Sequence, residues 1–242
     1  MDQQDSRTGF FGKLASQGDF VSRRLSPAFV RGWDDWLQEG LQHTRKCLGT
    51  QWQSVYLRSP IWHFALAAGV CTEPCWAGVL MPSVDRVGRY FPLTVTYGGQ
   101  DVPVIERLRR DGGWYARIEE LALSSLEEGF ALEGFDLALI SLPPPTRHSR
   151  FSHRPEPAAS AAGKVWLELQ EQARMQDAIG QWSAQLASLA GDRSLAGHSL
   201  FWTEGSSHLP PTLLLCQGLP TSQMFVEMLA GRTWERSTLS GC

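Results

Sequence analysis

Apolar and polar residues alternate along this chain in two periods, and the change from one to the other divides it into elements. After Ser26 and Pro27, apolar residues fall at Phe29, Val30, Trp33, Trp36, Leu37 and Leu41. That spacing predicts an amphipathic helix with Ser26 as N-cap and Pro27 in its first turn. A second helical stretch is expected over Thr50 to Leu57. Before both, "TGFFGKLASQGDFVSRRLS" reads as a short strand or loop punctuated by Gly9, Gly12 and Gly18.

From Ile61 the period shortens. "IWHFALAAGV", "WAGVLMPSV" and "RYFPLTVTYG" are three apolar runs separated by turns around Glu73-Pro74 and Asp85 to Gly88. Consecutive runs with short connections predict an antiparallel meander. In the third run Phe91, Leu93, Val95 and Tyr97 share one face and Thr94 and Thr96 the other, while Pro92 marks an edge or a strand start. Val102 to Glu128 returns to helical spacing, with Trp114, Ile118, Leu121, Ala122 and Leu126 in one stripe. "FDLALISL", Phe135 to Leu142, reads as a short buried strand.

Then "PPPTRHSRFSHRPEPAASAAG" interrupts the pattern. Its prolines, arginines and histidines leave little to bury, so Pro143 to Gly163 is expected to be a mobile loop dispensable for folding. Beyond it "KVWLELQ" suits strand or helix, and "QDAIGQWSAQLASLAG" an amphipathic helix ending at Gly191. "HSLFWTEG" and "TLLLCQG" suit strands. "LPTSQMFVEMLAG" suits a closing helix capped by Thr221 or Ser222 and stopped by Gly231. The expected organisation is an N-terminal region 1–142, a flexible loop 143–163, and a C-terminal region 164–242 packed on the same sheet. The fold class is α/β: a mixed sheet with an antiparallel meander and helices on both faces, in three layers.

Composition narrows the function. The 242 residues carry a formal net charge of −3, with 17 acidic and 14 basic residues up to Leu142 and 8 of each beyond it. Neither half has the basic excess that a nucleic-acid backbone demands. The polar opening "MDQQDSRTGFFGK" has no secretory signal pattern, and no run approaches the ~20 apolar residues that cross a bilayer. With Cys47, Cys71, Cys75, Cys216 and Cys242 irregularly spaced, the expectation is a cytoplasmic protein with reduced thiols, not inserted in a membrane.

Known chemical motifs do not fit. "GFFGKL" has only two residues between Gly9 and Gly12 and Leu14 after Lys13, so it is not a phosphate-binding loop. Cys71 and Cys75 lack the second ligand pair of a zinc site, and His148 and His153 sit in the Pro-rich loop. No metal or cofactor is expected. Without a G-x-S-x-G elbow, the enzymatic alternative is a small hydrolase with an acid–base site near Asp19, Ser83 and Asp85. Trp33 and Trp36 flank Asp34 and Asp35, and serve either core packing or an aromatic partner contact.

Two polar stretches stand out, "QGDFVSRRL" and "PSVDRVGRYFP". Each sets charged residues beside glycine at the entry to an apolar run. Lys13, Asp19, Arg23, Arg24, Asp85, Arg86 and Arg89 either pin two loops together or face a partner. Asp19 would pair with Arg86 or Arg89, and Asp85 with Arg23 or Arg24. Val84 and Val87 would be partly buried anchors around a reversal at Gly88.

These stretches also carry a family resemblance. "GKLASQGDFVSRRLSPAFVRGWDDWLQEGL", "YLRSPIWHFALAAGVC" and "WAGVLMPSVDRVGRYFPLTV", in unbroken order from about Gly9 to Tyr97, resemble the TagF (ImpM) family of type VI secretion-associated proteins. "LFWTEG" and "GLP…FVEML" resemble the family's C-terminal part. The resemblance implies a cytoplasmic bacterial regulator, not an enzyme, that represses secretion post-translationally by protein binding. It also implies a partner, the forkhead-associated scaffold of the secretion apparatus. It supplies no catalytic residues.

Overall fold

The computed structural model describes residues 7–99, 102–146, 164–168, 179–182, 184–186 and 195–231. A hairpin, β1 (Gly9–Gly12) and β2 (Val21–Arg23), leads into α1 (Pro27–Leu48), a 3-10 turn (Gly49–Gln51) and α2 (Trp52–Leu57). The meander β3 (Trp62–Leu66), β4 (Cys75–Met81) and β5 (Leu93–Gly99) follows. Next come α3 (Val104–Arg110), α4 (Gly112–Ser124) and α5 (Leu132–Ser141), then β6 (Val165–Glu168), the hairpin β7 (His198–Thr203) and β8 (Thr212–Gln217), and α6 (Ser222–Ala230).

One eight-stranded sheet runs β2-β1-β5-β4-β3-β7-β8-β6. Every pairing in it is antiparallel, so the parallel component of the expected mixed sheet is absent among the described strands. The reason is in the connections: β1–β2, β3–β4–β5 and β7–β8 are each joined without the crossover helix that a parallel pair needs. β6, left open between strand and helix by the sequence, is an edge strand on β8.

Both faces of the central strands are buried, which explains why they read as nearly continuous apolar runs. Ala65, Val79, Leu93, Val95, Leu200 and Leu213 join one core with Leu108, Trp114, Ile118, Phe135 and Leu139. Phe64, Trp76, Leu80, Phe201 and Leu214 join the other with Phe29, Trp33, Leu37, Tyr56 and Phe225. Phe91, expected beside Leu93, belongs to this second core, because Pro92 separates it from the strand register.

α1 begins as its sequence dictates: Ser26 accepts from the Phe29 amide at 3.3 Å, with Pro27 at the first helical position. Thr221 caps α6 in the same way, accepting from Met224 N at 3.3 Å. α1 lies against α6, and the approach requires a glycine: a Cβ on Gly40 would stand 2.6 Å from Phe225 Cγ.

Two elements differ from expectation. The helical stretch 102–128 is two helices broken at Asp111, whose carboxylate pairs with Arg107 at 2.9 Å and accepts from Thr146 N at 2.9 Å. Leu126 lies beyond the end of α4 and is 56% exposed. The run from Phe135 is helix α5, not a strand. Phe135 and Leu139, four apart, are buried, while Leu137 and Ile140 are exposed, a one-sided pattern that only a helix produces. Residues 179–182 and 184–186 are helical and bury Trp182 and Leu186. Of the Pro-rich loop, 147–163 lies outside the described residues, as do the end of the preceding-to-β7 helix at Gly191 and Cys242.

Candidate functional site

The β4–β5 connection is built around one carboxylate. Asp85 Oδ1 accepts from the amides of Val87 at 3.0 Å and Arg89 at 2.8 Å. Its Oδ2 accepts from Lys13 Nζ at 2.8 Å and Arg89 Nε at 2.7 Å. An aspartate that hydrogen-bonds its own backbone two residues on is a turn former, and here it closes the loop from inside. Two backbone bonds complete it: Asp85 N to Arg89 O and Gly88 N to Asp85 O, both 3.0 Å. Gly88 sits at φ +85°, which a side chain would disfavour.

The Asp85 side chain is sealed from solvent, and that of Lys13 is 6% exposed. Burial pushes the Asp85 pKa up. The Lys13 ammonium, the Arg89 amide and guanidinium and the Val87 amide more than offset this, holding the carboxyl below the ordinary carboxylate range. Ser83 supports the pair from below: its hydroxyl donates to Lys13 O at 2.7 Å. Tyr56 brackets Ser83, donating its hydroxyl to Ser83 O and accepting from Ser83 N, each at 3.0 Å. Burial raises the Tyr56 pKa, so the phenol stays protonated and able to donate.

The expected tie between the two polar stretches therefore exists, with different partners. Arg86 N donates to Gln17 O at 2.9 Å, and Arg89 Nη2 donates to Gly18 O. Backbone carbonyls of the β1–β2 loop, not its charged side chains, receive the turn. Asp19 caps the Phe20 amide at 2.8 Å and is exposed, so it pairs with neither arginine. Arg23 is exposed and bonds Ser22 O at 3.1 Å. Arg24 points to α5, pairing with Asp136 at 2.5 Å and donating to Thr8 O at 2.9 Å. Asp85 thus takes Lys13 in place of Arg23 or Arg24, because Lys13 directly follows β1 and β1 pairs with β5.

Trp33 and Trp36 are core residues, which removes them as a partner contact. Trp33 is fully buried and donates to Thr94 Oγ1 at 2.8 Å; Trp36 donates to Pro220 O at 2.7 Å. Thr94, on the strand face opposite Leu93, serves as the acceptor for a buried indole N–H that would cost about 1–3 kcal/mol unpaired. Val84 is half-buried and bridges Tyr90, but Val87 is 64% exposed and anchors nothing.

What remains outside is a tip fastened at its base by Asp85. Arg86, Val87 and the Arg89 guanidinium are exposed, and Phe20 is 46% exposed beside them, its ring 5.0 Å from Lys13 Nζ. The tip borders an open groove of about 940 Å³ floored by Phe91 and Tyr90 and walled by α1 through Gln38, Gln42 and Arg45. Phe20 and Tyr56 were not singled out by sequence reasoning. Phe20 carried a signal, being the one large apolar residue in the polar stretch "SQGDF"; Tyr56 carried none. The arrangement can hold a partner segment by apolar contact and by arginine pairing. Among the described residues no group of three or more His, Cys, Asp or Glu could hold a metal ion.

A family model described as the TagF N-terminal domain, type VI secretion system-associated, matches residues 9–142. The crystal structure of PA0076 from Pseudomonas aeruginosa PAO1 is similar at 33% sequence identity and a TM-score of 0.70, over 93% of this chain and 94% of that one. No curated protein matches the sequence.

Proposed function

Since the chain belongs to the TagF family of type VI secretion system-associated proteins, we propose that it is a cytoplasmic regulator that represses secretion post-translationally by binding protein. The observation that carries this reading is the division of one motif into a buried lock and an exposed tip. Asp85 fixes the turn from inside, and Arg86, Val87 and Arg89 stand outside it, with Arg89 on the wall of a wide groove. A surface ordered before binding loses less conformational freedom on association than a mobile loop would. The proposed partner is the forkhead-associated scaffold of the apparatus. The three-layer description, with helices over each face of the sheet, belongs to the same reading, supported by the two separate cores.

The hydrolase alternative has little support. Ser83 spends its hydroxyl on Lys13 O, and Asp85, with its pKa lowered, is a poor base at neutral pH. Asp19 is held by its own loop. Among the described residues no helix is long and apolar enough to cross a membrane.

The test is genetic and biochemical. Deleting the gene in a secreting strain should raise type VI secretion while the abundance of the structural components stays constant. Unchanged secretion in a strain with a competent apparatus would overturn the repressor reading. Capture of the scaffold by the wild-type chain but not by an Arg86→Glu, Val87→Glu variant would support the tip as the contact.

A further inference from the structure

Along the groove floored by Phe91 and Tyr90, charge changes sign from one end to the other. We infer that it seats an extended protein segment, acidic at one end only, with an apolar side chain behind the carboxylates. This rests on the protein-binding reading and names the chemistry of the segment bound.

Helix α1 forms one wall and fixes the polarity. Asp35 and Glu39 line the groove, and Arg45 and Lys46 line it nearer the end of the helix. The Arg45 guanidinium lies 4.4 Å over the Trp52 ring, and Tyr90 meets that ring edge-on at 5.3 Å. Trp33, about three turns earlier, bonds Thr94. The chain from Thr94 back to Tyr90 therefore follows α1 towards Arg45, which brings Arg89 to the cationic end. There Lys13 and Arg89 share the single carboxylate of Asp85, so one positive charge is left over. Among the described residues neither Arg45 nor Lys46 has a carboxylate partner. Stacking on Trp52 holds Arg45 in place without neutralising it.

The apolar anchor is an independent feature of the same groove. Phe20 is 46% exposed, although its ring stacks on Phe11 at 5.7 Å and meets Phe91 edge-on at 4.8 Å. It is held by two rings and still open to the groove. Size agrees with a short segment. Asp35 to Lys46 covers about 16 Å of helix at ~1.5 Å per residue, a span of about five extended residues at ~3.3 Å each. The volume of about 940 Å³ is at the upper end for small-ligand sites and suits several side chains. Asp35 and Glu39 oppose a phosphate backbone running the whole length, so a polyanion fits worse than a segment with one acidic end.

The probes are the labelled, capped peptides Asp-Asp-Ala-Phe-Ala-Ser and its reversed sequence, titrated into the full chain at low salt, where surface charges are least screened. Fluorescence anisotropy and backbone amide shifts are the readouts. The expected result is saturable binding of at least one order, with shifts at Phe20, Tyr90 and Lys46. Replacing both aspartates by asparagine, or phenylalanine by alanine, should weaken it by about tenfold. Arg45→Glu with Lys46→Glu, both at exposed positions, should do the same while circular dichroism melts stay unchanged. If that variant fails to fold, Phe20→Ser takes its place with the same expected loss. No saturable binding of either order at ~1 mM peptide would overturn the inference. So would equal binding of the asparagine peptide, unchanged affinity in a folded variant, or equally strong competition by a single-stranded oligonucleotide. Gene deletion tests repression separately. Raised secretion without peptide binding would remove this segment and leave the repressor, and peptide binding with unchanged secretion would do the reverse.

Discussion

Replacing Lys13 with Met removes the ammonium from Asp85 while keeping a chain that can fill the same space. The pair is 2.8 Å apart, with side-chain exposures of 6% and 0%. Breaking a buried pair from one side costs roughly 3–5 kcal/mol. Arg89 Nε and two backbone amides still serve the carboxylate after the substitution, so the lower end applies, about 3 kcal/mol. For a chain of this size 1 kcal/mol moves Tm by roughly 2–4 °C, which gives a loss of roughly 6–12 °C. The pH dependence has a definite sign. The folded pKa of Asp85 is lowered, so its contribution is complete above the ordinary Asp value of about 3.9 and is lost as pH falls below it towards the folded value. Thermal melts followed by circular dichroism should therefore show the full gap between wild type and variant at pH 7, narrowing as pH drops below about 4. A Tm loss under about 2 °C at pH 7, or a gap that stays constant into acid, would refute the claim that this pair locks the turn.

The exposed half of the motif should behave oppositely: Arg86→Glu with Val87→Glu should leave Tm within roughly 2 °C, as surface changes do, yet abolish repression in vivo. A large Tm loss would show that the tip is structural. Gly40→Ala should destabilise by about 1–3 kcal/mol in denaturant melts, despite alanine's better helix propensity, because its Cβ would meet Phe225 at 2.6 Å; a neutral or stabilised variant would mean that α1 and α6 are farther apart. Burial pushes the Cys71 and Cys216 thiols up to about 11, leaving roughly a thousandth as thiolate at pH 8. Iodoacetamide mapping of the native chain should find both modified far more slowly than after unfolding, and equal rates in the two states would contradict the burial of Cys216 and the partial burial of Cys71.

Elements with local determinants were legible in the sequence. Ser26-Pro27 and Thr221 announce α1 and α6 because a cap acts over three residues, and the meander follows from its short connections. α5 was misread because an eight-residue apolar run has no decisive period. Its helical nature is set by burial of Phe135 and Leu139 alone, which depends on what packs above. The site was half legible. "PSVDRVGRYFP" marked the right turn, but Asp85's partner is 72 residues away, and only the β1–β5 pairing brings Lys13 there.

On the proposed reading one short motif serves both stability and binding, and the distribution of charge in the turn supplies a physical reason. An exposed turn held only by surface ion pairs would gain about 0–1 kcal/mol from each, too little to order several residues at roughly 1–2 kcal/mol apiece. Placing Asp85 inside, on four donors, moves the ordering free energy to folding, where the second core and Tyr56 share it. In the proposed contact, Arg86 and Val87 would be presented with a smaller ordering cost than in a mobile loop. The two halves respond to different perturbations for that reason. Loss of Lys13 loosens the tip and should slow association and weaken repression in proportion to the fraction of unlocked turn. Loss of Arg86 and Val87 removes contacts from a turn that stays locked. Amide exchange at Val87 and Arg89, whose N–H groups end on Asp85, separates these cases: faster exchange in Lys13→Met, wild-type protection at Arg89 in the tip variant. Equal protection in Lys13→Met and wild type would mean that Arg89 and the amides suffice to lock the turn, and that the ammonium serves the core alone.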